Sequence, residues 1–204
     1  MTQSELKDLV AATEGLQPAR RLLHAAVGLA SAGLIWAIDF HRGLLLIVFG
    51  ALSLLLFAAD LVRLAVPALN VQFFRTFRLF ASPREADRIA SSTWYVAGIL
   101  FAVALFPTEI VVPAILVLSL ADPVANYVGW RWGTRRLGTG TVEGVVAFTL
   151  VGGLILPLFV PGWVALVAAL VAAVAEVLPW RLDDNLVIPI SVATILWVAS
   201  AWPI

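Results

Sequence analysis

Long apolar runs alternate with short polar connections along the chain, a pattern that predicts helices rather than strands. Seven apolar runs follow one another, at 22–38, 43–59, 89–106, 110–129, 144–160, 163–179 and 186–202. Each run is close to the roughly 17–25 residues that an α-helix needs to cross a bilayer. Turn residues such as Pro107 and the Pro161-Gly162 pair separate neighbouring runs. We therefore predict an all-α, polytopic integral membrane protein with about seven transmembrane helices.

The predicted organisation is a single transmembrane domain over 22–204, preceded by a polar segment at 1–21. Composition agrees, since 62% of the residues are hydrophobic, 13% are charged and the mean hydropathy is +1.00. A net charge of zero argues against a nucleic-acid partner. The chain has no cysteine and two histidines, which excludes disulfides and thiolate metal sites and argues against zinc. The polar opening residues predict no cleavable signal peptide.

The basic residues predict how the bundle is oriented. Every lysine and arginine except Arg42 lies in 1–21, in 60–88, in 131–136 or at Arg181. Because basic connections stay in the cytoplasm, we predict a cytoplasmic N-terminus, an external C-terminus and a multi-pass place in the cytoplasmic membrane. Within the cytoplasmic loop at 60–88, the stretch 71–80 mixes phenylalanine with arginine, as in an interfacial amphipathic helix. Such a helix either guides a lipid substrate or simply rests on the headgroups.

Five carboxylates lie at the edges of, or inside, the apolar runs, all toward the predicted cytoplasmic face. They are Asp122, Glu143, Glu176, Asp183 and Asp184. A carboxylate in hydrocarbon costs a few kcal/mol even on lenient insertion scales. Their gathering at one face therefore predicts a cation and a charged ligand held at the membrane surface.

The spacing of Asp122, Asn126, Gly129 and Gly133 puts these four residues on one face of a helix. Polar side chains followed by bare backbone suit a ligand site, although helices also pack closely through glycine. The segment 129–141 that follows is rich in glycine, arginine and threonine. Backbone N–H groups and arginines there predict an anion site, the alternative being a loop that is basic only for topology.

The carboxylates also have local explanations. Glu143 in a first helical turn, after an N-cap at Thr141, could merely stabilise its own helix. One of Asp183 and Asp184 suffices to cap the last helix, so the second carboxylate favours a divalent cation such as Mg²⁺. Glu176 needs a partner, for which Arg181, His24 or the metal are candidates, and His24 itself could be purely structural.

At this point the motifs resemble a known family. They run Asp122-Pro-Val-Ala-Asn126-x-x-Gly129-x-x-x-Gly133, then Thr141-x-Glu143-Gly144, then Glu176, then Asp183-Asp184-Asn185-x-x-x-Pro189. This order is similar to the CTP-dependent lipid kinase family, which includes dolichol, phytol, farnesol and fungal diacylglycerol kinases and is related to phosphatidate cytidylyltransferase. Weaker similarities are Arg20-Arg21-x-x-His24-x-x-x-Gly28 and Glu85 followed by Thr93-Trp94-Tyr95.

The resemblance implies a role for each matching residue. Catalytic roles fall to Asp122, Glu143, Asp183 and Asp184, with Mg²⁺ on Asp183, Asp184 and Glu143. Nucleotide contacts fall to Asn126, Gly129, Gly133, Arg135, Arg136, Thr141, Gly144 and Asn185. Further site candidates are His24, Glu85, Thr93 and Glu176. Gly140 stands where the family usually has lysine, and Arg135 and Arg136 are the candidates to replace that charge.

The resemblance implies an enzyme that transfers the γ-phosphoryl group of a nucleoside triphosphate, expected to be CTP, to a lipid alcohol such as a polyprenol, phytol or diacylglycerol. The bilayer, the nucleotide and the lipid are its expected partners. The alternatives are nucleotidyl transfer, as in phosphatidate cytidylyltransferase, an ion-coupled transporter, and a non-catalytic membrane scaffold.

Overall fold

The computed structural model describes residues 3–15, 17–38, 41–179 and 182–201. Over these residues the chain is all-α. The helices are α1 Gln3–Ala11, α2 Pro18–Ala37, α3 Arg42–Ala65, α4 Pro67–Thr76, α5 Ser91–Leu105, α6 Thr108–Trp132, α7 Val142–Ile155, α8 Gly162–Val177 and α9 Asp184–Ser200. Short 3-10 turns occupy Pro83–Ala86 and Leu156–Leu158. Two two-residue strands, β1 Arg136–Leu137 and β2 Gly140–Thr141, pair antiparallel in a small hairpin.

Each of the seven predicted apolar runs forms a helix in the described part of the chain: α2, α3 and α5 to α9. Proline contributes to several boundaries, since it stands at the first turn of α2 and α4 and directly before α6 and α8. By length and composition, α3 and α6 are apolar enough to cross a membrane, and the other apolar helices found by that test are shorter. The all-α prediction is confirmed.

Helix α6 lies at the centre of the bundle. It packs against α2, α7 and α9, while α5 packs against α3 and α9 and α8 bridges α7 and α9. Its residues Val111, Ile115, Val117 and Leu118 are fully buried. By contrast, only 22% of the apolar stretch of α3 is buried. Apolar surface on this scale is unusual for a protein in water and suits a helix that faces lipid.

Small residues let α7, α8 and α6 approach closely. The buried face of α8 is mostly alanine, and a Cβ added at Gly152 of α7 would lie 2.9 Å from the Cβ of Ala169. Membrane helices pack in this way because lipid supplies no hydrophobic force between them, so van der Waals contact must.

The loop predicted at 60–88 is more helical than its polarity suggested. Helix α3 runs on to Ala65, because Asp60 and Arg63 pair one turn apart and their charges do not end the helix. The helix predicted at 71–80 is α4, which begins and ends four residues earlier, at Pro67–Thr76. Its Val71 and Phe74 are buried, whereas Phe77, Leu79 and Phe80 beyond it are exposed.

Candidate functional site

A cavity of about 1010 Å³ opens at one end of the bundle. Its wall comes from the start of α2, the 82–94 segment, the Asp122 region of α6 and the connection between α8 and α9. Arg42, which donates to the carbonyls of Val103 and Ala104, marks the opposite end. The predicted site residues that line this cavity are His24, Glu85, Asp122, Asn126, Asp183, Asp184 and Asn185.

The start of α9 supplies two neighbouring aspartates in different states. Asp183 is the N-cap: its Oδ1 accepts from the backbone N–H of Asn185 at 3.1 Å and from the Asn185 amide at 2.6 Å. Asp184 has no hydrogen-bond or ion-pair partner among the described residues. Burial, together with the charges of Asp122 and Asp183, raises the pKa of the Asp184 carboxyl to about 7, although Arg84 acts to lower it. Asp183 therefore caps the helix, whereas the Asp184 carboxyl lines the cavity and is available to a ligand.

Asp122 faces these aspartates from α6. Its Oδ1 accepts from the amide of Asn126, one turn on, at 2.7 Å, and its Oδ2 lies 3.7 Å from Nε2 of His24. The same Nε2 donates to the carbonyl of Leu118 at 3.1 Å. Proline at position 123 cannot donate to that turn of the helix, and its own carbonyl accepts from Arg21 at 3.2 Å.

His24 is held by aromatic and polar contacts. Its ring stands edge-on to Tyr95 at 4.4 Å, and the Tyr95 hydroxyl bonds Ser119 at 3.1 Å. A Cβ at Gly28 would overlap both Tyr95 and Ser119, so the absence of a side chain there lets α2 reach α5 and α6. His24 is thus both a cavity residue and part of a packed helix crossing.

Among the described residues, four arginines line the cavity, and they are not the ones predicted from the glycine-rich loop. They are Arg20, Arg21, Arg84 and Arg88. Arg135 and Arg136 are exposed on the hairpin and do not line the cavity. The Arg20-Arg21 pair and the basic 84–88 segment were visible in the sequence, but only as topology signals and a weak motif.

A buried polar cluster holds the 82–91 segment that carries two of these arginines. We call Asp60, Arg63, Asn70 and Thr93 the Arg63 network. Arg63 donates to Asp60 Oδ1 at 2.6 Å, to Asn70 Oδ1 at 2.8 Å and to the carbonyls of residues 85 and 88 at 2.8 Å each. Asp60 Oδ2 also accepts from the Thr93 hydroxyl at 2.6 Å. Thr93, a predicted site candidate, belongs to this network and not to the cavity wall.

Glu85 links the Arg63 network to the cavity. Its carboxylate accepts from the backbone N–H groups of Ser82 at 3.2 Å and Ser91 at 3.1 Å, and it lies 3.5 Å from Arg20. Arg20 in turn donates to the Ser91 hydroxyl at 2.7 Å. Glu85 is buried, so its main effect is to fix the loop and Arg20.

The predicted glycine stripe mostly packs helices together. A Cβ at Gly129 would lie 2.8 Å from Thr141 Oγ1, one at Gly133 would lie 2.6 Å from the Thr141 methyl, and one at Gly144 would lie 3.1 Å from the carbonyl of Ala125. Thr141 is the N-cap of α7, accepting from Gly144 at 3.1 Å. These residues join α6 to α7 outside the cavity wall, as the packing alternative anticipated.

Glu143 is not brought to Asp183 and Asp184. Its carboxylate accepts from the Thr134 hydroxyl at 2.5 Å and from the N–H of Arg135 at 3.4 Å, and it does not line the cavity. The Thr134 hydrogen bond in particular lowers the pKa of the Glu143 carboxyl to about 2. Within the described residues, no group of three or more His, Cys, Asp or Glu side chains is arranged to hold a metal ion.

Glu176 lies behind the cavity, near the end of α8. Its Oε2 is buried without a hydrogen-bond partner among the described residues, and the nearby charges that act on it are those of Asp122 and Asp184. Arg181, one of its predicted partners, lies outside the described residues. The hairpin covers this helix end: the N–H of Thr139 donates to the carbonyl of Val177 at 2.9 Å.

The hairpin turn explains two glycines. Gly138 has φ 56°, in the left-handed region that glycine tolerates, and a Cβ there would overlap the carbonyl of Val177. A Cβ at Gly140 would lie 2.8 Å from Cγ1 of Val177. A lysine at position 140, which the resembled family usually has, would therefore fit only if Val177 moved away. The positive charge that lines the cavity comes instead from arginines elsewhere in the chain.

The donor chemistry of the cavity suits Mg²⁺ with a phosphate ligand. Mg²⁺ takes oxygen ligands and commonly binds through one or two carboxylates plus substrate phosphates, so a three-residue cage is not required. Asp184 offers a carboxylate without a hydrogen-bond or ion-pair partner among the described residues, and Asp183 lies beside it. The four arginines line the same cavity, and guanidinium groups bind phosphate oxygens well.

The fold and the cavity thus define an all-α protein with a mixed acidic and arginine-rich site at one end of its bundle. Three curated relatives are similar to it in sequence, each named CTP-dependent diacylglycerol kinase 1. The relative from Schizosaccharomyces pombe is 26% identical over 200 residues, covering 88% of this chain and 91% of that protein. The Eremothecium gossypii protein is 26% identical over 137 residues and the Saccharomyces cerevisiae protein 24% over 115, covering 43% and 39% of those proteins.

This similarity supports the resemblance to the CTP-dependent lipid kinase family that the motifs predicted. No family model matches the chain. No solved structure matches it either.

Proposed function

We propose that this chain is a CTP-dependent kinase that phosphorylates the hydroxyl of a membrane lipid alcohol, with diacylglycerol as the first candidate. The relatives' names support a lipid kinase and do not favour nucleotidyl transfer or transport. The observation that carries the proposal is the cavity itself, where Arg20, Arg21 and Arg84 face Asp122 and Asp184. Its volume of about 1010 Å³ is at the upper end of typical ligand pockets, which suits a nucleotide and a lipid head together.

Phosphoryl transfer needs positioning and charge neutralisation more than covalent catalysis by the protein. The lipid hydroxyl oxygen forms a bond to the γ-phosphorus of CTP as the bond from that phosphorus to the β-bridging oxygen breaks, releasing CDP. In this proposal Asp122 orients the hydroxyl and accepts its proton, with His24 beside it. The arginines bind the phosphate oxygens, and Asn126 and Asn185 are the proposed nucleotide contacts on the wall.

Mg²⁺ is the proposed cofactor, with Asp183 and Asp184 as the residues that would hold it. When bound, the ion would neutralise phosphate charge and so assist departure of the nucleoside diphosphate. Glu143 and the residues Gly129, Gly133, Arg135, Arg136, Thr141 and Gly144 keep a proposed supporting role, since they build the α6–α7 junction and the hairpin next to the cavity.

For the membrane, we propose seven spans with the cavity at the cytoplasmic face. The cavity lies at the basic end of the bundle, with Arg42 at the other end, which fits the distribution of basic residues. The chain lacks cysteine, so single cysteines introduced at Arg78 and Leu158 report sidedness without background. Labelling from the cytoplasm at Arg78→Cys and from outside at Leu158→Cys is expected; the reverse pattern overturns the orientation.

The direct test combines purified protein, Mg²⁺ and diacylglycerol, polyprenol or phytol with CTP labelled either at the γ-phosphate or in the cytidine. A kinase transfers the γ-label to the lipid and leaves the cytidine in CDP. Cytidine in the lipid product would instead show nucleotidyl transfer. Absence of both labels, with ion flux in proteoliposomes that needs no nucleotide, would favour a transporter.

A further inference from the structure

A second, smaller concavity of about 370 Å³ lies between α5 and α9. Its wall is apolar except for one serine: Phe101, Leu105, Leu182, Leu186, Val187, Ile190 and Ser191. We call it the α5–α9 groove. Phe101 and Leu105 are four residues apart, as are Leu186 and Ile190, so each helix contributes one ridge.

The groove adjoins the polar cavity. Leu182 lines both, and the same two helices that form the groove carry Ser91, Trp94 and Asp184 of the cavity wall. The helices meet closely between the two spaces, where a Cβ at Gly98 would overlap the carbonyl of Asn185. The path from cavity to groove therefore runs over Leu182, on the outer surface of the bundle.

We propose that the α5–α9 groove binds the hydrocarbon chain of the lipid substrate while its hydroxyl lies in the cavity, an inference that rests on the proposed function. The cavity wall, with its arginines and carboxylates, is unfavourable for a hydrocarbon chain. The apolar groove shares Leu182 with the cavity, so it is the neighbouring surface that can receive such a chain as it leaves the charged wall. Ile190 of the groove lies roughly 9 Å along α9 from Asp184 of the cavity, so the groove receives the part of the chain nearest the hydroxyl.

Tryptophans on each wall test this assignment, as Leu105→Trp and Ile190→Trp. Because they fill the groove, the KM for long-chain diacylglycerol in mixed micelles is expected to rise by about tenfold or more, while the KM for CTP stays unchanged. Matched controls are Leu150→Trp and Leu154→Trp on α7, where both leucines are exposed and do not line the groove. Groove variants with the lipid KM of wild type, or with equal rises in the control variants, overturn the inference.

Photolabelling gives a readout that does not depend on turnover or on how the tryptophan variants fold. Wild-type protein in phosphatidylcholine vesicles is labelled with a diacylglycerol that carries a photoreactive group near its glycerol, and the labelled peptides are identified by mass. Labelling of 182–191 that unlabelled diacylglycerol displaces supports the groove; labelling there that is no more displaceable than that of 150–154 contradicts it. Wild-type protein that phosphorylates no lipid would sink the proposed function, but displaceable groove labelling would still identify a lipid site.

Discussion

Two regions of this molecule bury carboxylates, and they treat them in opposite ways. In the Arg63 network, Asp60 is 4% exposed and both of its oxygens are hydrogen-bonded, to Arg63 on one side and to Thr93 and the N–H of Ala90 on the other. At the cavity, Asp184 has no hydrogen-bond or ion-pair partner among the described residues, and the buried Oε2 of Glu176 has no hydrogen-bond partner among them either.

The difference separates structural charge from functional charge. A buried charge whose partners are all inside the protein stabilises one arrangement of the chain, because removing either partner leaves the other uncompensated. Carboxylates that face one another, as Asp122, Asp183 and Asp184 do, repel each other, and a bound cation would relieve that repulsion. The Arg63 network fixes the loop that carries Arg84, and Arg84 in turn lines the cavity.

The largest effect is expected where the cavity meets the reacting hydroxyl. Asp122→Asn keeps the size of the side chain but removes the proton acceptor, so kcat for lipid phosphorylation should fall by about 10²–10⁴-fold. Glu109→Gln, an exposed carboxylate near the other end of the same helix, should leave kcat unchanged. Steady-state kinetics in mixed micelles measure both, and an Asp122→Asn enzyme with wild-type kcat would remove Asp122 from the mechanism.

In the Arg63 network a substitution is expected to lower stability, whereas the substitution at Asp122 lowers kcat. Arg63→Ala strands the buried carboxylate of Asp60, so the free energy of unfolding should fall by about 3–5 kcal/mol. Denaturation of the protein in detergent micelles measures the loss, with Arg78→Ala, an exposed arginine further along the same connection, as the control. Equal stabilities of the two variants would show that the network does not hold the fold.

Glu176 tests the same distinction between structural and functional carboxylates, since its buried Oε2 makes no hydrogen bond among the described residues. Glu176→Leu should raise the free energy of unfolding by about 1–3 kcal/mol, because an unsatisfied buried polar group is removed, while lowering kinase activity. A loss of stability comparable with Arg63→Ala would place Glu176 among the structural charges instead.

The smallest of these effects concerns the exposed arginines at the cavity mouth. Arg84→Ala removes one charge from the phosphate-binding wall, and the KM for CTP should rise roughly tenfold with little change in stability. The control is again Arg78→Ala, which does not line the cavity. If Arg135→Ala raises the KM and Arg84→Ala does not, the phosphates lie at the hairpin rather than in the cavity.

Local patterns predicted the helices and those cavity residues that lie close together in the chain. The apolar runs are long and periodic, so each helix was recognisable, and the pairs Asp122–Asn126 and Asp183–Asn185 are close in sequence and remain together in space. The end of α3 was wrong because Asp60 and Arg63 looked like loop residues, and only their ion pair, closed by Asn70 from α4, lets them lie inside.

The choice of arginines could not be made from the sequence. Arg135 and Arg136 adjoin the glycine-rich motif in the chain, whereas Arg20 and Arg84 reach the cavity through tertiary packing, as the 3.5 Å contact between Arg20 and Glu85 shows. Nothing in their spacing indicates that contact. The spacing likewise does not indicate that the Glu143 carboxylate bonds the Thr134 hydroxyl and lies apart from Asp183 and Asp184.

Binding of CTP measured by isothermal titration, with and without Mg²⁺, tests the central claim most directly. The account predicts Mg²⁺-dependent binding to the wild-type protein and to Glu109→Gln, and loss of that dependence in Asp184→Asn. Two results would contradict the account. One is that Asp184→Asn binds CTP as tightly as wild type and still depends on Mg²⁺. The other is that wild type binds CTP equally well with and without Mg²⁺.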